Sequence, residues 1–200
     1  MKGIEEQNAE IKAIVESRET PGFENTIVAL DNSGRTLARV KGVFYALTEA
    51  DTNDEMSALS EKIAPVLSEH NDNIYLNQDL YKRVAAVWQQ EQEGKITLTT
   101  EQHRLLDRYY KAFIRSGAGL DAGKQNRLRE INKELSTLAI TFSNHVLNEN
   151  NAYRLVIDNE AELAGLPEWV KTGAAEEAKA VGKEGKWLFT LQNRRQICWL

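Results

Sequence analysis

The sequence is poor in cysteine and has no long apolar run. Cys198 is the single cysteine among 200 residues, so an intramolecular disulfide is excluded. No stretch approaches the roughly 18 consecutive apolar residues that a membrane span needs. The opening residues, Met1 to Glu6, contain no apolar segment typical of a signal peptide. These absences predict a soluble protein of a reducing, cytoplasmic compartment that has no membrane partner.

An excess of one charge is also missing. The 25 Lys and Arg residues nearly balance 30 Asp and Glu residues, and the formal net charge is −5. Both signs are mixed along the chain, so no basic stripe is available for a phosphate backbone and no nucleic-acid partner is expected. The 42% hydrophobic and 28% charged composition is that of a globular chain and excludes disorder.

Histidines at zinc-binding spacing are absent. His70, His103 and His145 lie 33 and 42 residues apart, so no His-x-x-x-His pair exists. None of them has a glutamate three positions earlier, the spacing that helical di-metal sites use. We expect all three to be polar-face or helix-end residues, and we predict no metal ligand in this chain.

Nucleophile and phosphate-binding motifs are missing as well. Gly123-Lys124 lacks the preceding glycine of a Walker loop, and Ser116 lacks the glycine two positions earlier that a nucleophile elbow requires. Cys198 has no histidine near it in the sequence and is not predicted to be a catalytic thiol. The residues therefore predict no catalytic and no cofactor-binding position.

Helical periodicity is what the sequence does contain. Apolar residues recur every three or four positions in a succession of segments, which predicts a bundle of helices. The predicted helices run from Ile4 to Ser17, Glu24 to Leu47, Asp54 to Leu67, Leu80 to Gly94, Thr99 to Ile114, Asp121 to Val146, and Pro167 to Gly182.

Three interruptions are predicted along these helices. Asn32-Ser33-Gly34 indicates a kink, Pro65 a bend, and His70-Asn71-Asp72-Asn73 a break between helices. The helical spacing of the aromatic residues is typical of a core, and a ligand groove is the alternative. These aromatic residues are Tyr45, Trp88, Tyr109, Tyr110 and Phe113.

A different pattern follows the long helix. Tyr153–Ile157 and Lys186–Leu191 are short runs rich in β-branched and aromatic residues, which predict two strands paired as an antiparallel ribbon. The expected fold class is mainly α, a multi-helix bundle with a small two-stranded antiparallel ribbon. We expect residues 2–193 to form one domain.

Several strings of the sequence resemble one family of enzymes. The strings are Pro21–Leu30, Thr52–Glu55, Ala64–Ser68, Ile74–Asn77, Leu105–Tyr110, Ile131–Ser136, Glu162–Pro167 and Gly185–Gln192. Together they resemble the N-terminal helical part of the thimet-oligopeptidase-like zinc peptidases, of the bacterial peptidyl-dipeptidase (dipeptidyl carboxypeptidase) and oligopeptidase A type. Gly22 departs from the pattern, because relatives commonly carry threonine there.

The resemblance implies a neurolysin-like helical fold and the hydrolysis of short peptides, with the peptidyl-dipeptidase branch releasing C-terminal dipeptides. The family's zinc is held by a His-Glu-x-x-His helix and a further glutamate, and this chain has no such motif. No catalytic residue of the family therefore carries over, and the chain alone is expected to be inactive. The alternative is a non-enzymatic helical interaction module that binds a partner, such as the missing catalytic domain, through an apolar surface.

The resemblance ends near Asn193. Residues 194–200 resemble nothing in the family, which indicates a divergent tail from a frameshifted or prematurely ended reading frame. Relatives also begin before the segment that matches Lys2, so we expect a short stretch to be missing at the front.

Overall fold

The helical periodicity of the sequence becomes a succession of helices in the computed structural model, which describes residues 1–191. The chain divides into two units, Met1–Ile140 and a second that begins at Thr141. The first unit contains α1 (Lys2–Glu16), a π-helical segment (Phe23–Val28), α2 (Ala29–Asn32), α3 (Arg35–Ala50), α4 (Asp54–Tyr75), α5 (Gln78–Gln92), α6 (Thr100–Arg115) and the start of α7 (Ala122–Ala152). The mainly α fold class is confirmed.

Side-chain caps fix where several of these helices begin. Asn53 accepts a hydrogen bond from the backbone N–H of Met56 at 2.9 Å, and Asn77 accepts one from Leu80 at 3.0 Å. Thr99 and Gln102 form a reciprocal capping box, in which each side chain accepts from the other's backbone N–H. Each cap satisfies amide groups that have no partner within the first turn.

The kink predicted at Asn32-Ser33-Gly34 is a complete helix break. Ser33 is extended and Gly34 adopts a left-handed conformation with φ of 70°, so α2 ends before α3 begins. A Cβ atom on Gly34 would lie 2.3 Å from the side chain of Gln7 in α1. Glycine is favoured at this break for two reasons: it adopts the left-handed backbone conformation at low cost, and it has no side chain to meet Gln7.

The break predicted at His70-Asn71-Asp72-Asn73 is wrong. Helix α4 continues through these residues to Tyr75, and the next helix starts after the Asn77 cap. His70 is only 6% exposed and is hydrogen-bonded to Gln7, while buried Asp72 accepts from Asn132 of α7 at 2.8 Å. Polar residues can occupy a helix interior when tertiary partners satisfy them, and those partners are far away in the sequence.

The core of the first unit lies between α1, the π-helical segment, α5 and α6. Its fully buried members include Ile27, Leu80, Val84, Leu106 and Phe113. An aromatic layer covers them, with Trp88 and Tyr110 stacked at 4.6 Å and Tyr81 next to Tyr110. The core interpretation of the helical aromatics is confirmed for Trp88, Tyr109, Tyr110 and Phe113, whereas Tyr45 packs edge-on to Phe44 outside this core.

The second unit carries the predicted ribbon. Strands β1 (Leu155–Ile157) and β2 (Trp187–Phe189) pair antiparallel, and between them lie a 3₁₀ turn (Glu160–Leu163) and α8 (Glu168–Ala180). Leu163, Val170, Ala174 and Phe189 form its small core. The predicted ribbon is confirmed. The divergent tail of residues 194–200 lies outside the described residues.

None of the helices formed by residues 1–191 combines the length and the apolar character of a membrane span.

Candidate functional site

The three histidines are dispersed over separate helices. His70 is buried in α4, His145 lies in α7, and His103 in α6 contacts Glu91 with Nδ1 2.7 Å from Oε1. Within residues 1–191, no three His, Cys, Asp or Glu side chains converge as metal ligands would. Cys198 lies outside the described residues. The candidate functional surfaces of the described residues are a polar cleft and two exposed apolar faces.

One apolar face runs along α7. Its residues Ile131, Leu135 and Leu138, all in the first unit, follow the helical spacing expected of a buried stripe, yet Leu135 and Leu138 are more than half exposed. We call these three residues the α7 face. A single exposed leucine is ordinary on a protein surface, but a continuous apolar stripe is typical of an interaction site.

A second apolar face lies on α3. None of the residues of α3 is fully buried, and Val40, Val43 and Leu47, at spacings of three and four, are each more than half exposed. We call these three residues the α3 face. The helix is held to α1 by a close approach, since a Cβ atom on Gly3 would lie 3.1 Å from the Leu37 backbone. Helix α3 thus packs on one side and presents apolar side chains on another.

A polar cleft of about 220 Å³ is lined by residues of α1, α2, α3, α4 and α6. Its lining combines polar side chains with apolar walls from Leu30, Leu37 and Ile74. We call it the His70 cleft. The polar side chains that line it include Gln7, Asp31, Ser33, Lys41, His70 and Tyr109.

The hydrogen bonds in the His70 cleft fix the histidine tautomer. Ser33 Oγ donates to the Leu30 carbonyl at 2.8 Å, so it accepts from Gln7 Nε2 at 3.3 Å. Gln7 Oε1 therefore faces His70, and His70 Nε2, 2.8 Å away, must be the donor. The Nδ1 atom of the neutral ring is then an acceptor, and it has no hydrogen-bond partner among the described residues.

Burial and charge keep this imidazole neutral. Burial is the larger cause that lowers the pKa of His70, and the ammonium of Lys41 adds to it. Asp31 also lines the cleft, and its Oδ1 accepts from Tyr109 at 2.8 Å and from Arg108 at 3.1 Å. Burial and the bond to Asp31 raise the pKa of Tyr109, so its hydroxyl stays protonated and donates.

Sequence reasoning placed His70 on a polar face or at a helix end and did not single out the cleft. The cleft is assembled from Gln7, Ser33 and His70, and the bond between Gln7 and His70 joins residues 63 positions apart. No local spacing signals such a contact. The long apolar stripe of α7 was predicted, but its exposure was not, because periodicity marks a face without saying which element covers it.

Comparison with known proteins shows clear relatives. The chain is 39% identical over 195 residues to dipeptidyl carboxypeptidase of Escherichia coli (strain K12), which covers 98% of this chain and 28% of that protein. It is 30% identical over 190 residues to oligopeptidase A of Salmonella typhimurium, covering 95% of this chain and 28% of that protein. It is 26% identical over 154 residues to saccharolysin of Saccharomyces cerevisiae, covering 77% of this chain and 21% of that protein.

The chain thus spans less than a third of the length of these relatives. No protein-family model matches it.

Proposed function

Since the chain matches the N-terminal portion of the thimet-oligopeptidase-like peptidases, as its sequence predicted, we propose that it is the helical, non-catalytic part of a zinc peptidase. The whole enzyme hydrolyses short peptides in the cytoplasm and releases C-terminal dipeptides. Residues 2–193 are its N-terminal helical domain. The similarity to a dipeptidyl carboxypeptidase along 98% of the chain supports this proposal.

The zinc chemistry belongs to the part of the enzyme outside this chain. Attack on an amide bond in such an enzyme needs a metal ion that polarises the carbonyl and lowers the pKa of the attacking water. The His-Glu-x-x-His motif that would hold the ion is absent from the 200 residues. The chain by itself is therefore expected not to hydrolyse peptides.

The α3 face and the α7 face are the surfaces through which we propose that the chain contacts the catalytic domain. Burial of a valine, leucine or phenylalanine side chain contributes roughly 1.5–3 kcal/mol relative to leaving it exposed. Several such side chains stand more than half exposed on the two helices. The exposed α7 face is the observation that carries the docking proposal, because an uncovered apolar stripe predicts a partner.

Supplying the catalytic part in trans tests this proposal. The partner is the portion of the Escherichia coli dipeptidyl carboxypeptidase that the match leaves out, and the readout is hydrolysis of a blocked tripeptide in the presence of zinc. We expect each part to be inactive alone and the mixture to be active. Leu138→Asp on the α7 face should abolish this activity, because it places a charge in the apolar contact.

Val181→Asp is the matched control. Val181 is also more than half exposed, but it lies beyond α8 and outside both apolar faces. This variant should complement as well as the unaltered chain. Equal loss of activity in the two variants would contradict the assignment of docking to the α7 face.

A non-enzymatic interaction module is the second candidate, and the same exposed faces favour it. The two functions give different results when the catalytic part is added in trans, because an interaction module binds a partner without restoring peptide hydrolysis. Complex formation on size exclusion without peptide turnover would favour this second function over the first.

A further inference from the structure

Helix α7 is held in the first unit by polar contacts along one side. Gln125 donates to two backbone carbonyls just after α6, at 3.2 and 3.3 Å. Arg129 donates to Asn73 of α4 at 2.9 Å. Asn132 donates to the buried Asp72 of α4 at 2.8 Å. The three donors are spaced four and three positions apart, so they lie on one side of the helix and fix its rotation about its axis.

An open groove of about 520 Å³ lies beside these contacts and is lined by residues of α4, α7 and the end of α6. We call it the α7 groove. Its apolar lining consists of Leu128 and Leu135 of α7. Asn132 and Ser136 of the same helix add polar groups. The volume lies within the roughly 300–1,000 Å³ of pockets that accept small organic groups, so the groove is large enough for a side chain of a partner.

Leu135 lies where the α7 groove meets the α7 face. Successive residues of a helix are about 100° apart, which places Leu128 about 20° and Ser136 about 100° from Leu135 on the groove side. Leu138 lies about 60° from Leu135 in the other direction, and it does not line the groove. The exposed apolar face therefore continues into the groove at Leu135.

The occupant of the groove follows from the part of the enzyme that lies outside this chain. The chain covers 28% of the Escherichia coli dipeptidyl carboxypeptidase to which it is similar, so most of such an enzyme is available as a partner. Protein interfaces concentrate their binding energy in a few side chains that insert into pockets near the centre of the contact. A groove that opens onto an exposed apolar face has the form of such a pocket.

We propose that the catalytic part inserts an apolar side chain into the α7 groove, against Leu128 and Leu135, and packs around it on the α7 face. The polar contacts to α4 and to the end of α6 hold α7 in the rotation that presents both surfaces. This inference rests on the proposed docking of the catalytic part, and it adds that Leu135 is the centre of the contact.

Two leucines of nearly equal exposure provide a matched pair for the test. Leu135 is 56% exposed and Leu138 is 52% exposed, and of the two Leu135 alone lines the groove. The partner is the portion of the Escherichia coli enzyme that the match leaves out, and isothermal titration calorimetry measures the Kd of the complex. Leu135→Ala should raise this Kd at least about 30-fold, as expected at the centre of an interface, and Leu138→Ala less than about fivefold.

Filling the groove tests the same point without removing a contact. Ser136 is half-buried and lines the groove, so the ring of Ser136→Phe should occupy it and raise the Kd by about tenfold or more. Asn126→Phe adds the same ring at an exposed position of α7 outside the groove, and it should leave the Kd unchanged. Neither position is buried, so both variants should keep the circular dichroism spectrum of the unaltered chain.

The outcomes separate this inference from the proposed function. Equal weakening by Leu135→Ala and Leu138→Ala, or full binding by Ser136→Phe, would overturn the insertion into the groove and leave the proposed docking in place. Absence of any binding by the unaltered chain would contradict the docking itself, and the insertion with it. Binding without peptide turnover would favour the interaction module, and the two leucine variants would still decide where that contact is centred.

Discussion

Substitution of Gly34 by alanine should destabilise the first unit through two separable effects. Gly34 has φ of 70°, and a Cβ atom there would meet Gln7 at 2.3 Å. The left-handed backbone costs an alanine about 1–2 kcal/mol. The steric clash must also displace the Gln7 side chain, which holds both His70 and Ser33.

The displacement of Gln7 has the larger effect. It leaves the buried Nε2 donor of His70 unpaired, at a cost of about 1–3 kcal/mol, and it removes the bond to Ser33, worth about 0.5–1.5 kcal/mol. Together with the backbone strain, Gly34→Ala should lower the free energy of unfolding by about 3–6 kcal/mol. That is a large part of the 5–15 kcal/mol typical of a domain.

Two further glycines provide matched controls. Gly94 has φ of 69° but nothing within 4 Å of an added Cβ, so Gly94→Ala should lose only the backbone cost of about 1–2 kcal/mol. Gly42 lies within α3 in open space, and Gly42→Ala should stabilise by up to about 1 kcal/mol. Urea unfolding followed by circular dichroism measures all three. Equal losses for Gly34→Ala and Gly94→Ala would refute the role assigned to Gln7.

Three other predictions concern His70, Asn77 and the α7 face. Because the pKa of His70 is lowered from its ordinary 6.5, its contribution to stability is fully present above that pH and is lost as the pH falls through the folded-state pKa. Urea midpoints measured from pH 7.5 down through about 6.5 and below should therefore fall with decreasing pH, and His70→Gln should remove the part of this pH dependence that His70 causes. An unchanged pH dependence in the variant would contradict the assignment. Asn77→Ala removes the cap of α5 and should cost about 1 kcal/mol by urea unfolding, whereas no loss would show the cap to be dispensable. Leu138→Asp should lower the free energy of unfolding by only about 1 kcal/mol, since about half of the leucine side chain is already exposed, and a core-sized loss would mean that the face is covered.

Local signals in the sequence account for most of the fold. Each of these signals lies within the element it predicts or directly beside it, and each element formed there. Examples are the Thr99 cap before α6, the apolar period of α7, and the β-branched runs that begin at Tyr153 and Lys186. Helix α7 is longer than predicted and ends at Ala152. Polar residues near its end did not stop it, because no glycine or proline breaks the backbone there.

The candidate site depends on contacts that no local pattern contains. His70 was placed at a helix break because a polar string commonly marks one, but its partner Gln7 belongs to another helix. Gly34 belongs to the string that predicted a kink, while its structural role is to make room for that same glutamine side chain. The exposure of Leu135 and Leu138 likewise depends on which surfaces lie opposite them, and a periodic pattern does not contain that information.

The most direct test of the central claim, that this chain is the non-catalytic part of a zinc peptidase, is a hydrolysis assay of the purified chain alone. A blocked tripeptide is incubated with the protein and excess zinc, with and without a chelator. We expect no turnover in either condition, because the chain contains no His-Glu-x-x-His motif to hold the ion. Turnover that the chelator abolishes would contradict it.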